Sequence, residues 1–286
     1  MKILVSGASG HLGHLIIRNL LERGVSKEQI VAGARHTNRA RDLEAQGIKV
    51  IPFDYDQPAT LEAGLKGITH FMMISVSQND TPVHQHDLVI EAAAKANLEV
   101  LVFTSIFRAK ESNLPLAPIM RAAEEEIEAL GIPHVFLRDN AYLEMYLSNV
   151  MQAIQTGQLV SSAGDAKIAG VSRFDIAEAA AIVLTHPEYY GQTLELAGDQ
   201  AFTFKDLAQL AQTYRKAPVT YQPITLAQSH QMMKQAGFPK HDLAVMDQLE
   251  KVTASGALNT DDHTLSEILG HATLTIDDLV KRYLMS

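Results

Sequence analysis

Apolar residues in this chain follow two alternating rhythms: short unbroken runs of β-forming residues, and longer stretches with helical spacing. The first run is Ile3-Leu4-Val5. Behind it, Ile16, Ile17, Leu20 and Leu21 form the apolar face of a helix that ends near Gly24. Further strands are expected at 29–34, 49–53, 70–75, 100–105, 134–138 and 193–197, with helices at 40–46, 60–65, 84–96, 118–130 and 174–184. This alternation predicts an α/β fold, a doubly wound parallel sheet of Rossmann type, with ligands at the carboxyl ends of its strands. Beyond about Gly198 the pattern turns mostly helical, broken at Pro218, Pro223, Gly237 and Pro239, with one strand at 219–222. No internal repeat is evident.

The junction between the first strand and helix carries the most specific chemistry. Gly7, Gly10 and Gly13 stand three apart, one residue longer between the first two than the GxGxxG dinucleotide fingerprint. Gly7 permits a tight turn, Gly10 lets the backbone approach a pyrophosphate, and Gly13 allows the helix to pack close to the sheet. The helix aims unpaired amides and its positive dipole end at the phosphates, so Gly7, Ser9, Gly10, His11, Leu12 and Gly13 are the expected phosphate-binding residues. The second strand then runs into Arg35-His36-Thr37-Asn38-Arg39, where an NAD site usually places a carboxylate for the ribose 2′-hydroxyl. Arg35 offers a planar cationic fork for a 2′-phosphate, with Arg39 near enough to assist, and NADP(H) is therefore expected over NAD(H). Asp54 and Tyr55 follow the third strand, where they would meet the adenine. Ser75, Val76 and Ser77 after the fourth strand, and Thr104 and Ser105 closing the fifth, fall along the ribose and nicotinamide. Asp54 can equally cap a turn, and the serines can cap strand ends. Residues 1–141 are expected to form the nucleotide-binding core. Residues 142–286 are expected to complete the sheet around 193–197 and form a smaller, mostly helical substrate-side lobe.

Composition narrows the class without altering this picture. The 286 residues suffice for one large α/β domain with an appendage. Hydrophobic residues make up 47% and charged residues 20%, with no apolar run long enough to span a bilayer, so a globular chain without membrane partners is expected. A formal charge of -9 lacks the basic footprint of a nucleic-acid binder. The absence of cysteine excludes disulfides, thiolate metal sites and a cysteine nucleophile. With no secretory signal pattern after Met1, the expected location is cytoplasmic.

Taken in order, SGASGHLG, Arg35, FDYDQP, QHDLVIEAAAKANLEVLVFTS, GIPHVFLRDNAY, SAGDAKIAGVSR, LELAGD and ILGHATLT resemble the NmrA-like branch of the atypical short-chain dehydrogenases. Within that branch the likeness is greatest to the NADPH:quinone oxidoreductase type 2 and triphenylmethane reductase group, from Lys2 to about Val280. Ordinary short-chain dehydrogenases use Tyr-x-x-x-Lys, the lysine lowering the tyrosine pKa for proton exchange with an alcohol or carbonyl. None of the eight tyrosines here has a lysine four residues on, and Met120 stands where many NmrA-like proteins keep a lysine. No catalytic side chain is therefore assigned. The resemblance implies hydride transfer from NADPH to quinones or similar conjugated acceptors, which take up charge by delocalisation and need mainly proximity and alignment. It also implies an apolar acceptor site, for which Phe107, Tyr142, Met145 and Tyr146 are candidates; the last three fall at i, i+3, i+4 of a helix, a spacing shared with core stripes. Arg138 is expected to fix its strand end, and Asn140 to reach the nicotinamide edge, although Asp139 intervenes where relatives place the asparagine. The resemblance leaves open a second class, an NADP(H)-sensing regulatory protein of the NmrA type, and it leaves open a homodimer.

Other constellations carry less. His84 and His86 would diverge by about 200° on a helix, which reads as a helix start, and no metal site is expected. Glu124-Glu125-Glu126 reads as a solvated helix face. Ser6-Gly7-Ala8-Ser9-Gly10 does not match the GxSxG hydrolase elbow.

Overall fold

A computed structural model describes residues 1–76 and 82–285. Its strands are β1 (Ile3–Val5), β2 (Ile30–Ala34), β3 (Lys49–Pro52), β4 (His70–Met73), β5 (Val100–Ile106), β6 (His134–Asp139), β7 (Gln158–Ser161), β8 (Thr193–Leu196) and β9 (Thr220–Pro223). Its α-helices are α1 (His11–Glu22), α2 (Arg41–Ala45), α3 (Pro58–Leu65), α4 (Pro82–Ala94), α5 (Ala117–Ala129), α6 (Leu143–Thr156), α7 (Arg173–Thr185), α8 (Phe204–Arg215), α9 (Leu226–Gln235), α10 (Lys240–Ala254), α11 (Thr264–Leu269) and α12 (Ile276–Met285). Every strand expected from the sequence forms, with its ends within two residues of the expectation. The chain groups into two units, the first of residues 1–110, 118–139 and 173–195, the second of the remainder.

In the first unit, seven strands pair in the order β3-β2-β1-β4-β5-β6-β8. The ladders from β1 through β6 are parallel, with Leu4 opposite Val31 on one side and Phe71 on the other. Helices between successive strands cover the sheet, so β1, β2, β4 and most of β5 are buried at every position. Edge strand β3 differs: Lys49 and Pro52 are exposed and blunt an otherwise open edge. Chain order reverses between β1 and β4, and the carboxyl ends of these neighbours form the switch point where Rossmann sheets bind ligands.

The second unit builds its core around α6, α8 and α12. Capping boxes start two of its helices, Thr203 with Asp206 at α8 and Thr225 with Gln228 at α9. Gly157, left-handed at φ 77°, ends α6 and leads into β7, which pairs in parallel with β9. The sequence pattern predicts β9 but not β7. Only Leu159 of Gln158-Leu159-Val160-Ser161 is buried, so this strand has little alternation of its own and is set by its partner. Among the described residues, no helix is long and apolar enough to cross a membrane.

Candidate functional site

At the exit of β1 the chain turns through Gly7, whose φ of +60° is readily open only to glycine. The Ala8 amide bonds Gly33 O and the Gly10 amide bonds Gly7 O, so the loop folds back against its own entry. Gly10 caps α1 in an extended conformation without a side-chain hydrogen bond, and the first turn holds no acidic residue. The opening amides of His11, Leu12 and Gly13 thus have no intrahelical acceptor, and exposed Gly10 and His11 leave their side open. A Cβ at Gly13 would lie 2.5 Å from Gly7 O and 2.8 Å from Ala8 Cα, which is why the helix can sit so close to the turn. Ser9 is half-buried on the rim of this cradle.

Arg35 follows β2 directly, is exposed, and has no carboxylate partner among the described residues; the same holds for Arg39. Guanidiniums without a carboxylate partner among the described residues are chemically suited to phosphate recognition. Asp54 is more occupied: its carboxylate accepts from the Asp56 amide and from Gln57 Nε2, while its own amide donates to Thr60 Oγ1. These are turn-capping bonds. Tyr55 reaches back to the switch point, donating to Ile74 O at 2.9 Å and lying 2.7 Å from Ser6 Oγ. Burial raises its phenol, which therefore remains a protonated donor.

Three successive amides leaving β4 are each held by a side chain from a different element. Ile74 N–H donates to Ser6 Oγ beyond β1, Ser75 N–H to Thr104 Oγ1 of β5, and Val76 N–H to His86 Nε2 of α4. Neither Ser6 nor His86 is among the site residues expected from the sequence. Their signals are a polar residue ending a buried strand and a histidine on the inward face of a helix. Ser77 lies outside the described residues.

Because His86 Nε2 accepts the hydrogen bond of the Val76 amide, the ring is neutral with its hydrogen on Nδ1. Burial pushes its pKa down to about 4 from the ordinary 6.5, against a weaker upward pull from Asp87. Unfolded chain takes up the proton first, so His86 makes stability fall as pH drops from 6.5 to about 4, with a slope of up to ~1.4 kcal/mol per pH unit. Glu126 acts oppositely. Burial, then the charge and hydrogen bond of Asp87, push its carboxyl up to about 7 from 4.5, and its contribution is lost as pH rises through that window. The difference between wild type and His86→Gln isolates the histidine: urea unfolding should give the variant a smaller acid-side loss, and parallel curves would refute the assignment.

The acidic run on α5 is corrected by the structure. Glu125 is exposed, but Glu124 is 2% exposed and grips Arg138 through both oxygens, at 2.9 and 2.6 Å. Successive helix residues step 100° around the axis, so three adjacent glutamates cannot share one face. Arg138 Nη1 also meets Glu195 Oε1 of β8 at 2.9 Å. Burial opposes the arginine's charge, and its bonds to Glu124 and Glu195 more than offset that, raising its pKa. Arg138 thus fixes the strand end as expected, and Glu195 is a member that sequence reasoning missed. Its signal is a lone acid in the apolar strand Thr193-Leu194-Glu195-Leu196.

The remaining expected residues fall in varied surroundings. Ser105 is buried, and its hydroxyl has no hydrogen-bond partner among the described residues. Phe107 is buried just past β5. Asn140 donates both amide hydrogens to backbone carbonyls, Ala169 O and Leu258 O, and accepts from the Ala141 amide. In the second unit, Tyr142 caps α6 and is half-buried, whereas Met145 is 48% exposed. Tyr146 is buried edge-on against Phe202 and Phe204, with ring centroids at 5.2 and 5.9 Å.

A glycine cradle at a β1/β4 switch point, with free arginines beyond β2, defines a dinucleotide-binding protein of Rossmann type. The chain belongs to the NmrA-like family, whose model matches residues 1–275. It is 35% identical over 278 residues to quinone oxidoreductase 2 of Escherichia coli, covering 97% of each chain. The crystal structure of that NADPH-dependent quinone oxidoreductase complexed with NADPH superposes with a TM-score of 0.94, over 99% of this chain and 100% of the other. Triphenylmethane reductase of Citrobacter sp., complexed with NADP(H), is 29% identical with a TM-score of 0.92 over 99% of each chain.

Proposed function

We propose that this chain is an NADPH-dependent oxidoreductase that delivers hydride to quinones or similarly conjugated acceptors. The observation that carries the reading is the unpaired Arg35 beyond β2, beside an uncapped, glycine-lined start of α1. These residues fit the nucleotide: the space a Cβ at Gly13 would fill is taken up by the turn itself, and the opening amides of α1 are left without a side-chain cap, as a pyrophosphate site needs. Arg35, assisted by Arg39, binds the 2′-phosphate. When bound, the nicotinamide supplies the hydride. Ser6, Thr104 and His86 keep the β4 exit in one conformation, so Ser75 and Val76 present a rigid edge to the ribose. A quinone needs no strong acid from the protein, since its ring delocalises the incoming charge, and solvent completes the protonation. The reading includes Phe107 and Tyr142 on the acceptor side and a cytoplasmic location.

Purified protein should oxidise NADPH only when a quinone is added, and Phe107→Ala or Tyr142→Ala should raise the acceptor KM. Tight nucleotide binding without turnover across a panel of conjugated acceptors would instead favour a sensor. Arg35→Asp should weaken NADPH by on the order of tenfold to a hundredfold, the worth of one or two charge-assisted bonds, and NADH far less. Equal losses for the two nucleotides in calorimetry would remove Arg35 from the 2′-phosphate.

A further inference from the structure

Among the described residues, only Arg108 and Lys216 adopt positive φ without being glycine. Lys216 is the C-cap of α8, where a left-handed residue is common. Arg108, at φ 51°, ends no helix; it follows β5, on the side of the switch point where the proposed reading puts the nicotinamide. An arginine held there needs an external constraint.

The constraint is visible atom by atom. Glu195 Oε2 accepts the Arg108 amide at 2.7 Å. On either side, Phe107 N–H donates to Asp139 O, and Ala109 O accepts from Arg121 Nη1. The Arg108 guanidinium lies over the Phe107 ring, 4.7 Å from its centroid, so the backbone of one residue fixes the packing of the other. Glu195 is itself aimed by Arg138, whose orientation is set by both oxygens of Glu124. Pairing with Arg138 occupies one Glu195 oxygen; the other leaves the sheet to hold a turn at its ligand edge.

We propose that Glu195 is a positioning residue for hydride transfer, acting through the Arg108 amide to hold the turn after β5 in its left-handed form. This rests on the oxidoreductase reading above. Misplacing groups beside a reacting ring by an ångström costs up to about a hundredfold in rate, so the effect belongs in kcat rather than in nucleotide affinity.

The test uses the full chain with NADPH and a water-soluble benzoquinone. Glu195→Ala should lower kcat about tenfold or more while the NADPH Kd from calorimetry stays unchanged. Adding Arg108→Asn should restore most of that turnover, because asparagine tolerates the left-handed region. Amide hydrogen exchange at Arg108 should quicken in Glu195→Ala. A fall in Tm with kcat unchanged would overturn the proposal, as would a double variant no better than Glu195→Ala, or an Arg108 amide that exchanges no faster. Wild-type protein inert toward every quinone would sink the oxidoreductase reading instead. The exchange measurement needs no acceptor and keeps the two failures apart.

Discussion

Replacing Gly13 with alanine is expected to weaken NADPH binding by more than about a hundredfold, since it displaces several charge-assisted amide bonds at once. The added Cβ would meet Gly7 O at 2.5 Å, Ala8 Cα at 2.8 Å and Gly7 C at 2.9 Å. All three are backbone atoms, and none can swing aside as a side chain would. Either α1 retreats from the turn or the turn opens, and both carry the opening amides away from the pyrophosphate position. Overpacking of this kind costs roughly 1–3 kcal/mol in stability as well. For the stability cost alone, Gly10→Ala is the internal control: its Cβ meets only Gly7 O, at 3.2 Å, and a shift of a few tenths of an ångström relieves it. Calorimetry with NADPH on Gly13→Ala, and a thermal melt on both variants, check these expectations. A Gly13→Ala protein that binds like wild type would contradict the cradle geometry.

Arg138→Ala should cost about 3–5 kcal/mol, because it strands the buried carboxylate of Glu124 and removes a partner from Glu195. Side-chain exposures of 8% for Arg138 and 3% for Glu124 leave water little chance to compensate. Most of that cost belongs to the uncompensated charge rather than to the pair. The double replacement Glu124→Leu with Arg138→Met should therefore lie much closer to wild type than Arg138→Ala does. Urea unfolding of the three proteins settles the order, and a double variant as unstable as Arg138→Ala would refute the argument.

Much of this was legible in one dimension because the information is local. Unbroken apolar runs mark strands covered on both faces, and Ile3-Leu4-Val5 and Val100 to Phe103 are buried throughout. Glycine spacing marks a turn that side chains would obstruct, and Arg35 follows its strand directly, so its place at the strand's carboxyl end needs no tertiary knowledge. Strand β7 escaped for the opposite reason: nothing within Gln158–Ser161 distinguishes it from a loop until β9 lies alongside.

Polar residues divide along the same line. Glu124 reads as one of three solvated acids until β6 brings Arg138 beneath it, and His86 reads as a helix start until Val76 arrives at its ring nitrogen. What the amino-acid order alone determined here is the alternation of strand and helix, the bend that receives phosphates, and the cation beyond the second strand. Each depends on residues within a few positions of one another. Only the folded chain decided which charges are buried and which amides they hold. A polar group's role depends on its partner, and these partners stand from ten to more than eighty residues away along the chain.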